Sequence, residues 1–230
     1  MRSYFILILL STLSLNGLSK TELRLRFKGS FNGIELSLAK SDTVVTNPTK
    51  TSISKVRFYI SHVELYQDGR CVYRDKTPGH LIDLSDSAKS EVCFTTRKEI
   101  VFSEVHFLIG IDSATTMKGI EKGDLDPSNE MYWSWQSGFI NFKLEGYSPY
   151  CNKERPKNEF HYHIGGYHFY ENTCYPVVLQ STKEFNQKTI VLNLEQVVTT
   201  TLLQEVAHVQ LPGTKASRIA QSFSHCFQLR

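Results

Sequence analysis

The sequence lacks the motifs on which the commonest nucleotide-binding, hydrolytic and zinc-binding folds depend. It has no C-x-x-C pair, no glycine-rich phosphate loop and no G-x-S-x-G nucleophile motif. The first absence argues against structural zinc, and the other two argue against nucleotide binding and serine hydrolysis. An enzyme with a metal centre would also need a general base beside it, and no residue pattern supplies one. We therefore expect a protein that is not an enzyme.

Charge of one sign and long apolar runs are also scarce. The net charge is +3, and no run of Lys and Arg exceeds two residues, so a nucleic-acid partner is not expected. Beyond the N-terminal segment no stretch is apolar enough to span a bilayer, so no stable membrane anchor is expected. Apolar residues make up 40% of the chain and aromatic residues 12%, which excludes a disordered chain and suffices for a core.

The first 19 residues have the pattern of a cleavable secretion signal. Arg2 supplies a positive charge, residues 4–10 form a continuous apolar run, and small or polar residues follow as far as Ser19. The apolar run is too short to cross ~30 Å of hydrocarbon. We therefore expect a signal peptide at residues 1–19, one mature domain at residues 20–230, and a periplasmic or secreted location.

Short β-type alternations separated by turn residues fill most of the mature chain. Residues 21–28 place apolar side chains on one face and charged ones on the other, and Asn32-Gly33 and Asp68-Gly69 are typical hairpin turns. The most convincing central strand is residues 100–111. Strands are expected over residues 21–28, 34–38, 54–66, 71–73, 80–84, 92–95, 100–111, 139–144, 160–169, 177–180 and 189–194.

Helical patterns occur only near the end of the chain. Residues 195–203 predict a short helix, and a second helix follows Pro212-Gly213, with Thr214 as its expected N-cap. Its apolar residues recur at helical spacing: Ala216, Ile219, Ala220, Phe223 and Phe227. Many strands with helices at the end predict a mainly β fold, a single-domain antiparallel β-sandwich with a C-terminal helix.

The five cysteines allow disulfides in an exported protein. The local pairings are Cys71 with Cys93 and Cys151 with Cys174, and Cys226 is then the odd thiol. Connectivity does not follow from sequence, and buried free thiols are the alternative.

Two stretches are unusually dense in aromatic, sulfur and imidazole groups. Residues 124–146 contain Met131 and both tryptophans, Trp133 and Trp135, and residues 161–168 follow about fifteen residues later. We expect the two stretches to meet in the fold, with the functional site where they meet. Each tryptophan is either a core aromatic or a redox-accessible group that lines the site. Met131 is either a core filler or a soft ligand for Cu(I).

His161 and His163 are the candidate metal ligands. Side chains two residues apart on a strand share one face, ~7 Å apart, so both imidazoles would reach one copper or zinc ion. The alternative, which spacing alone favours, is two histidines on a solvated strand face. Gly165-Gly166 permits a bulge or the close approach of another backbone, which would bring His163 to another strand.

Asp124, Asp126 and Asn129 are spaced somewhat like the oxygen ligands of a calcium loop. The segment lacks the glycine and the bidentate glutamate of an EF-hand, and Asp126-Pro127 is also typical of a simple turn. Calcium is therefore not expected.

An ordered set of motifs resembles a known family. The motifs are Phe58–Ser61, His80–Asp83, Ile109–Ser113, Gly123–Pro127, Met131–Ile140, Lys143–Gly146 and His163–Gly166. Together they are similar to the MbnP-like family of periplasmic proteins associated with methanobactin and copper handling. The similarity covers nearly the whole mature chain.

The resemblance implies a copper-binding β-sandwich that stores, scavenges or delivers copper, with an outer-membrane metal transporter as one recipient. It also implies a tryptophan beside the copper site that a MauG-like di-haem cytochrome peroxidase oxidises to kynurenine. Carried over, the ligands are His163 and then His161, and the modified residue is Trp133 or Trp135. Some relatives have a histidine ligand two residues after the modified tryptophan. Counted from Trp133, that position here is Trp135, so the site would recruit another histidine: His62, His80, His106 or His168.

Two hypotheses follow. A copper protein should bind its metal more weakly below about pH 6, because imidazole must be neutral to ligate. The alternative is a metal-free secreted β-sandwich interaction module, whose aromatic residues anchor a partner.

Overall fold

The computed structural model describes residues 21–38, 44–46, 50–119, 122–133, 138–151, 158–167 and 172–230. The predicted signal peptide, Trp135 and His168 lie outside these ranges. Within them, no helix is both long and apolar enough to cross a bilayer.

Strands dominate the described residues. They are β1 (Thr21–Phe31), β2 (Ile34–Glu35), β3 (Val44–Thr46), β4 (Thr51–Gln67), β5 (Arg70–Arg74), β6 (His80–Asp83), β7 (Glu91–Thr96), β8 (Phe102–Ile109), β9 (Tyr132–Trp133), β10 (Gly138–Tyr147), β11 (Glu159–Gly165), β12 (Tyr175–Phe185), β13 (Gln187–Asn193), β14 (His208–Val209) and β15 (Phe227–Leu229). The helices are α1 (Ser113–Met117), α2 (Thr200–Glu205) and α3 (Thr214–Phe223), with 3-10 turns at Gly123–Leu125, Pro127–Asn129 and Leu194–Gln196.

The larger sheet has the strand order β12-β8-β4-β10-β11-β14. The long strand β4 also pairs with β3, β5 and β6, and β9 pairs with β10. The pairing of β4 with β8 shifts register between Ser61 and Glu64, where His62 has a positive φ of 51°. Such a bulge bends β4, so that its two halves meet different neighbours.

The smaller sheet has the order β15-β13-β1-β2, with β7 also paired to β1. Its side chains meet those of the larger sheet in one core, where Phe27 lies edge-on to Phe58 (5.7 Å between ring centroids) and to Phe107 (6.1 Å). The predicted mainly β sandwich is therefore confirmed.

Two strand pairs are parallel, where the sequence analysis expected only antiparallel pairing. They are β1 with β13, and β11 with β14. A parallel pair needs a long crossover connection, and both have one, because each second strand follows long after the first. The sheets are therefore mixed.

The C-terminal helix is confirmed as α3, with buried residues Ala216, Ile219, Ala220 and Phe223. The N-cap is Gly213 and not Thr214, which is the first helical residue. Phe227 lies in β15 instead of extending the helical stripe. The helix predicted at residues 195–203 is instead two short elements, the 3-10 turn Leu194–Gln196 and the helix α2. The Thr199 side chain accepts a hydrogen bond from the Leu202 backbone and so caps the start of α2.

The two suggested disulfides are not formed, and all five cysteines are free thiols. Phe94 points into the core against Tyr73 (5.1 Å between ring centroids), so its neighbour Cys93 points to the opposite face of β7, away from Cys71 on β5.

Cys151 and Cys174 lie near opposite ends of β10. The Cys174 thiol is 3.3 Å from Asn141 Nδ2, early in β10, and the Cys151 backbone donates to Ser148, just past its end. Seven strand residues separate these positions by roughly 20 Å, and a disulfide joins Cα atoms at most about 7 Å apart. Cys226, the predicted odd thiol, is buried and free.

Candidate functional site

Strand β11 has one face in the core and one face toward the candidate site. Phe160, Tyr162 and Ile164 are fully buried in the main core. His161 and His163 therefore share the opposite face, as the period of two predicts. Their rings are nearly parallel, with planes 5° apart and centroids separated by 6.1 Å.

The next residue on this face is Gly165, and the Trp133 ring covers it. A Cβ atom at Gly165 would lie 2.7 Å from Trp133 Cζ3 and would also collide with the Phe139 carbonyl oxygen. Glycine is therefore required for this close approach, which is one of the two alternatives that the sequence allowed for Gly165-Gly166. The two dense stretches meet here, because the indole lies over Gly165, two residues along β11 from His163.

Trp133 belongs to a second apolar cluster on the outer face of the larger sheet. It packs with Met131, Tyr59, Leu81, Ile111, Leu125, Phe139 and Ile140. Tyr59 and Leu81 point outward from β4 and β6, because their neighbours Phe58 and Ile82 point into the main core. Met131 is fully buried, and Trp133 is 7% exposed.

Polar contacts hold the segment before Trp133 against the sheet. Tyr59 Oη donates to the Asp124 carbonyl at 2.9 Å, and the Leu81 backbone donates to the Asp124 carboxylate at 3.1 Å. Lys143 Nζ donates to the Glu130 carbonyl at 2.5 Å. Asp126 accepts from the Ser128 backbone, which confirms the predicted turn.

Carboxylates orient both candidate imidazoles. His163 Nε2 donates to Glu145 Oε1 at 2.7 Å, and Lys55 Nζ lies 3.5 Å from Glu145 Oε2. The hydrogen bond from His163 and the charge of Lys55 lower the pKa of Glu145 to about 2, against the opposing effect of burial. His161 Nε2 lies 3.4 Å from Glu159 Oε2. Because Nε2 of each ring faces a carboxylate, Nδ1 is the nitrogen through which each would ligate a metal.

The imidazole donors at this face are of a type that binds copper, and their number limits how many protein ligands the ion could have. Imidazole nitrogen is a common copper ligand, and carboxylate partners of this kind fix ligating histidines. Within the described residues, however, no group of three or more His, Cys, Asp or Glu side chains could hold a metal ion. Of the predicted ligands, the described residues bring two imidazoles, those of His161 and His163, to this face.

Three of the four other candidate histidines are each paired with a carboxylate of their own, and the fourth, His168, lies outside the described residues. His62 Nε2 contacts Asp112 at 2.5 Å, His80 Nε2 contacts Asp75 at 2.7 Å, and His106 Nε2 contacts Glu104 at 3.1 Å. None of these three contacts involves His161 or His163.

Among the described residues, His208 contacts one member of the pair, because its ring centroid is 5.3 Å from that of His161. Spacing in the sequence could not identify His208, because β14 has only two residues and pairs with a strand, β11, that is distant in the sequence.

The comparisons with known proteins agree with this architecture. The sequence profile of the MbnP family matches residues 20–215. Among solved structures, MbnP from Methylosinus trichosporium has a similar fold, with a TM-score of 0.52 and 14% identity over 82% of this chain and 78% of that chain. A search of curated protein sequences finds no match. The family match spans most of the chain, and the resemblance seen in the motifs is confirmed: the chain belongs to the MbnP family.

Proposed function

We propose that this MbnP family member is an exported, periplasmic copper-binding protein that stores, scavenges or delivers copper and catalyses no reaction itself. His163 and His161 are the ligands, and Trp133 lines the site. An outer-membrane metal transporter is one recipient of the copper. Family membership supports a methanobactin-related periplasmic role.

One observation carries the proposal. The His161, His163 and Gly165 positions form one strand face, and the Trp133 indole fills the space over the glycine. Two imidazoles and one indole, the indole supplied by β9, therefore lie in a row along one face of β11. A solvated histidine pair would need neither the glycine nor the carboxylates that orient both rings.

Copper suits this site better than zinc. Structural zinc takes four protein ligands, and catalytic zinc takes three with water. Two imidazoles meet neither requirement, whereas they satisfy Cu(I). When bound, the copper would be cargo, and the chain's task is to hold it reversibly.

The second part of the proposal is oxidation of a tryptophan at this site, Trp133 or Trp135. A MauG-like di-haem peroxidase is the partner. Cleavage of the indole C2–C3 bond adds two oxygen atoms and gives N-formylkynurenine. Two molecules of hydrogen peroxide supply these atoms and leave as water. Hydrolysis then releases formate and leaves kynurenine.

The copper test compares two single-histidine variants. His163→Ala should weaken Cu(I) affinity by at least about tenfold, measured by competition with a chromophoric chelator. The matched control is His106→Ala, because His106 lies in the same sheet, is about as exposed as His161, and is also paired with a carboxylate. Equal affinities for the two variants would contradict the ligand assignment.

The tryptophan test is peptide mass spectrometry on protein purified from its own host, with metal analysis of the same sample. Copper near one per chain and an oxidised tryptophan in the peptide that contains Trp133 and Trp135 would support both parts. Unmodified tryptophans, with no copper retained after incubation with Cu(I), would favour a metal-free interaction module.

A further inference from the structure

Strand β14 places a third imidazole beside the proposed pair. It is the last strand of the larger sheet on that side, and it pairs parallel with β11 so that His208 lies opposite His161. The two rings are nearly perpendicular, at 86°, with centroids 5.3 Å apart. His161 thus has an imidazole neighbour on each side, His163 along its own strand and His208 across the sheet.

The three imidazoles become more exposed toward the sheet edge. The His163 side chain is 18% exposed and that of His161 is 30% exposed, while His208 at the sheet edge is exposed. His208 also lines a surface groove of about 750 Å³ formed by residues 208–216. The row therefore leads from the buried Trp133 to solvent.

The ring spacings allow one ion to be shared by either neighbouring pair. With metal–nitrogen bonds of ~2 Å, two imidazoles on one ion have ring centres at most roughly 6.3 Å apart, the limit reached when the two bonds are collinear. The separations of 5.3 Å and 6.1 Å both meet this requirement. His161 is common to both pairs.

We propose that His208 is the outer ligand of a three-imidazole row through which copper reaches His161 and His163. This inference rests on the proposed function, since it assumes copper at the inner pair. Copper binds first between His208 and His161. It then moves inward by ligand exchange, as the bond to His208 breaks and a bond to His163 forms. The oxidation state of copper does not change, so no oxidant or reductant is needed.

The Gln210 side chain occupies the nitrogen of His161 that this exchange requires. Its Nε2 lies 3.3 Å from His161 Nδ1, the nitrogen that faces away from Glu159. An incoming ion must displace this amide before it binds His161. Removal of the amide should therefore speed uptake, whereas a merely structural role for Gln210 predicts no such gain.

The experiment measures Cu(I) affinity and the rate of uptake from a coloured Cu(I)–chelator complex under anaerobic conditions. We expect His208→Ala to slow uptake by about tenfold and to weaken affinity less than His163→Ala does. Gln210→Ala should take up copper faster than the unaltered protein, and His106→Ala should match it. His208→Asn, which keeps a polar side chain, should behave like His208→Ala. The melting temperature of each variant is measured alongside, and it separates a loss of copper uptake from a loss of folding.

The outcomes separate this inference from the proposed function. If the unaltered protein retains no Cu(I), both fail. If His163→Ala loses copper while His208→Ala takes it up at the original rate and affinity, only the role of His208 is overturned. If His208→Ala slows uptake while its melting temperature is unchanged, the role of His208 is supported.

Discussion

At the scale of single residues, Gly165 determines where the indole can lie. Gly165→Ala should cost about 1–3 kcal/mol, because the new methyl group meets the Phe139 carbonyl oxygen and the Trp133 ring, neither of which can move without repacking. We also expect a shift in tryptophan fluorescence, because Trp133 is displaced from its buried position. Chemical denaturation followed by fluorescence measures both effects.

Gly33→Ala is the control for this prediction. Gly33 has φ of 72° in the β1–β2 turn, and a Cβ atom there meets no neighbouring atom. It should cost about 1 kcal/mol through backbone strain alone, with an unchanged fluorescence spectrum. An unchanged spectrum for Gly165→Ala would mean that the indole does not depend on this glycine.

Glu145 should stabilise the metal-free protein in a defined pH window. Its pKa is lowered to about 2 from an ordinary value of 4.5, chiefly by the hydrogen bond from His163. The folded state therefore favours the ionised carboxylate. The stabilisation is complete above pH 4.5 and is lost as the pH falls toward 2.

Glu145→Gln tests this window. At pH 7 the variant should be less stable by about 1–3 kcal/mol, because it loses a charge-assisted hydrogen bond and the nearby charge of Lys55. The difference from the unaltered protein should shrink between pH 4.5 and pH 2. Urea denaturation at a series of pH values measures it, and a difference that is independent of pH would exclude the carboxylate as the cause.

At the scale of elements, the segment that precedes β9 is held against the larger sheet by a hydrogen bond from Tyr59. This side chain is fully buried, and its hydroxyl donates to the Asp124 carbonyl. Tyr59→Phe keeps the ring in the outer cluster and removes only the hydrogen bond. We expect a cost of about 1 kcal/mol, with faster amide hydrogen exchange in residues 123–130.

Tyr66→Phe is the matched control, because the Tyr66 hydroxyl also donates to an oxygen atom, in this case the Glu64 carboxylate. It should leave hydrogen exchange in residues 123–130 unchanged. If Tyr59→Phe also leaves it unchanged, the other contacts of the segment, such as that of Lys143 with Glu130, suffice to hold it.

Elements with a strong local pattern were the ones that the sequence predicted well. The alternation in β1 and the turns at Asn32-Gly33 and Asp68-Gly69 are local, and the structure confirms them, with positive φ at all four turn residues. The stripe of α3 is also local and faces the core. Each pattern records which side of one element is buried, and that information is present in a few consecutive residues.

Pairings between distant elements could not be predicted in this way. His208 contacts His161 only because β14 lies parallel to β11, and two residues carry no detectable period. The suggested disulfides rested on closeness in sequence, which does not record the face on which Cys93 lies or the length of β10 between Cys151 and Cys174. The meeting of the two dense stretches was predictable because both had unusual compositions, whereas the contact of Trp133 with Gly165 was not.

At the scale of the molecule, the first and last described strands are bound in the same sheet. Strand β13 pairs with β1 on one side and with β15 on the other. Phe227 of β15 contacts Phe58 and Phe107 of the larger sheet, with ring centroids 5.6 Å and 5.4 Å away. Both sheets therefore depend on one core.

This dependence predicts one cooperative unfolding transition. Far-UV circular dichroism reports both sheets, and tryptophan fluorescence reports the outer cluster around Trp133, so the two signals should change together. Phe227→Ala should shift both midpoints equally and cost about 3–5 kcal/mol, although Phe227 lies on the opposite side of the larger sheet from Trp133. Its neighbour Gln228 is exposed, and Gln228→Ala should change stability by no more than about 0.5 kcal/mol. A fluorescence midpoint that stays in place while the circular dichroism midpoint moves would divide the chain into two folding units, because the outer cluster would then survive the loss of the core beneath it.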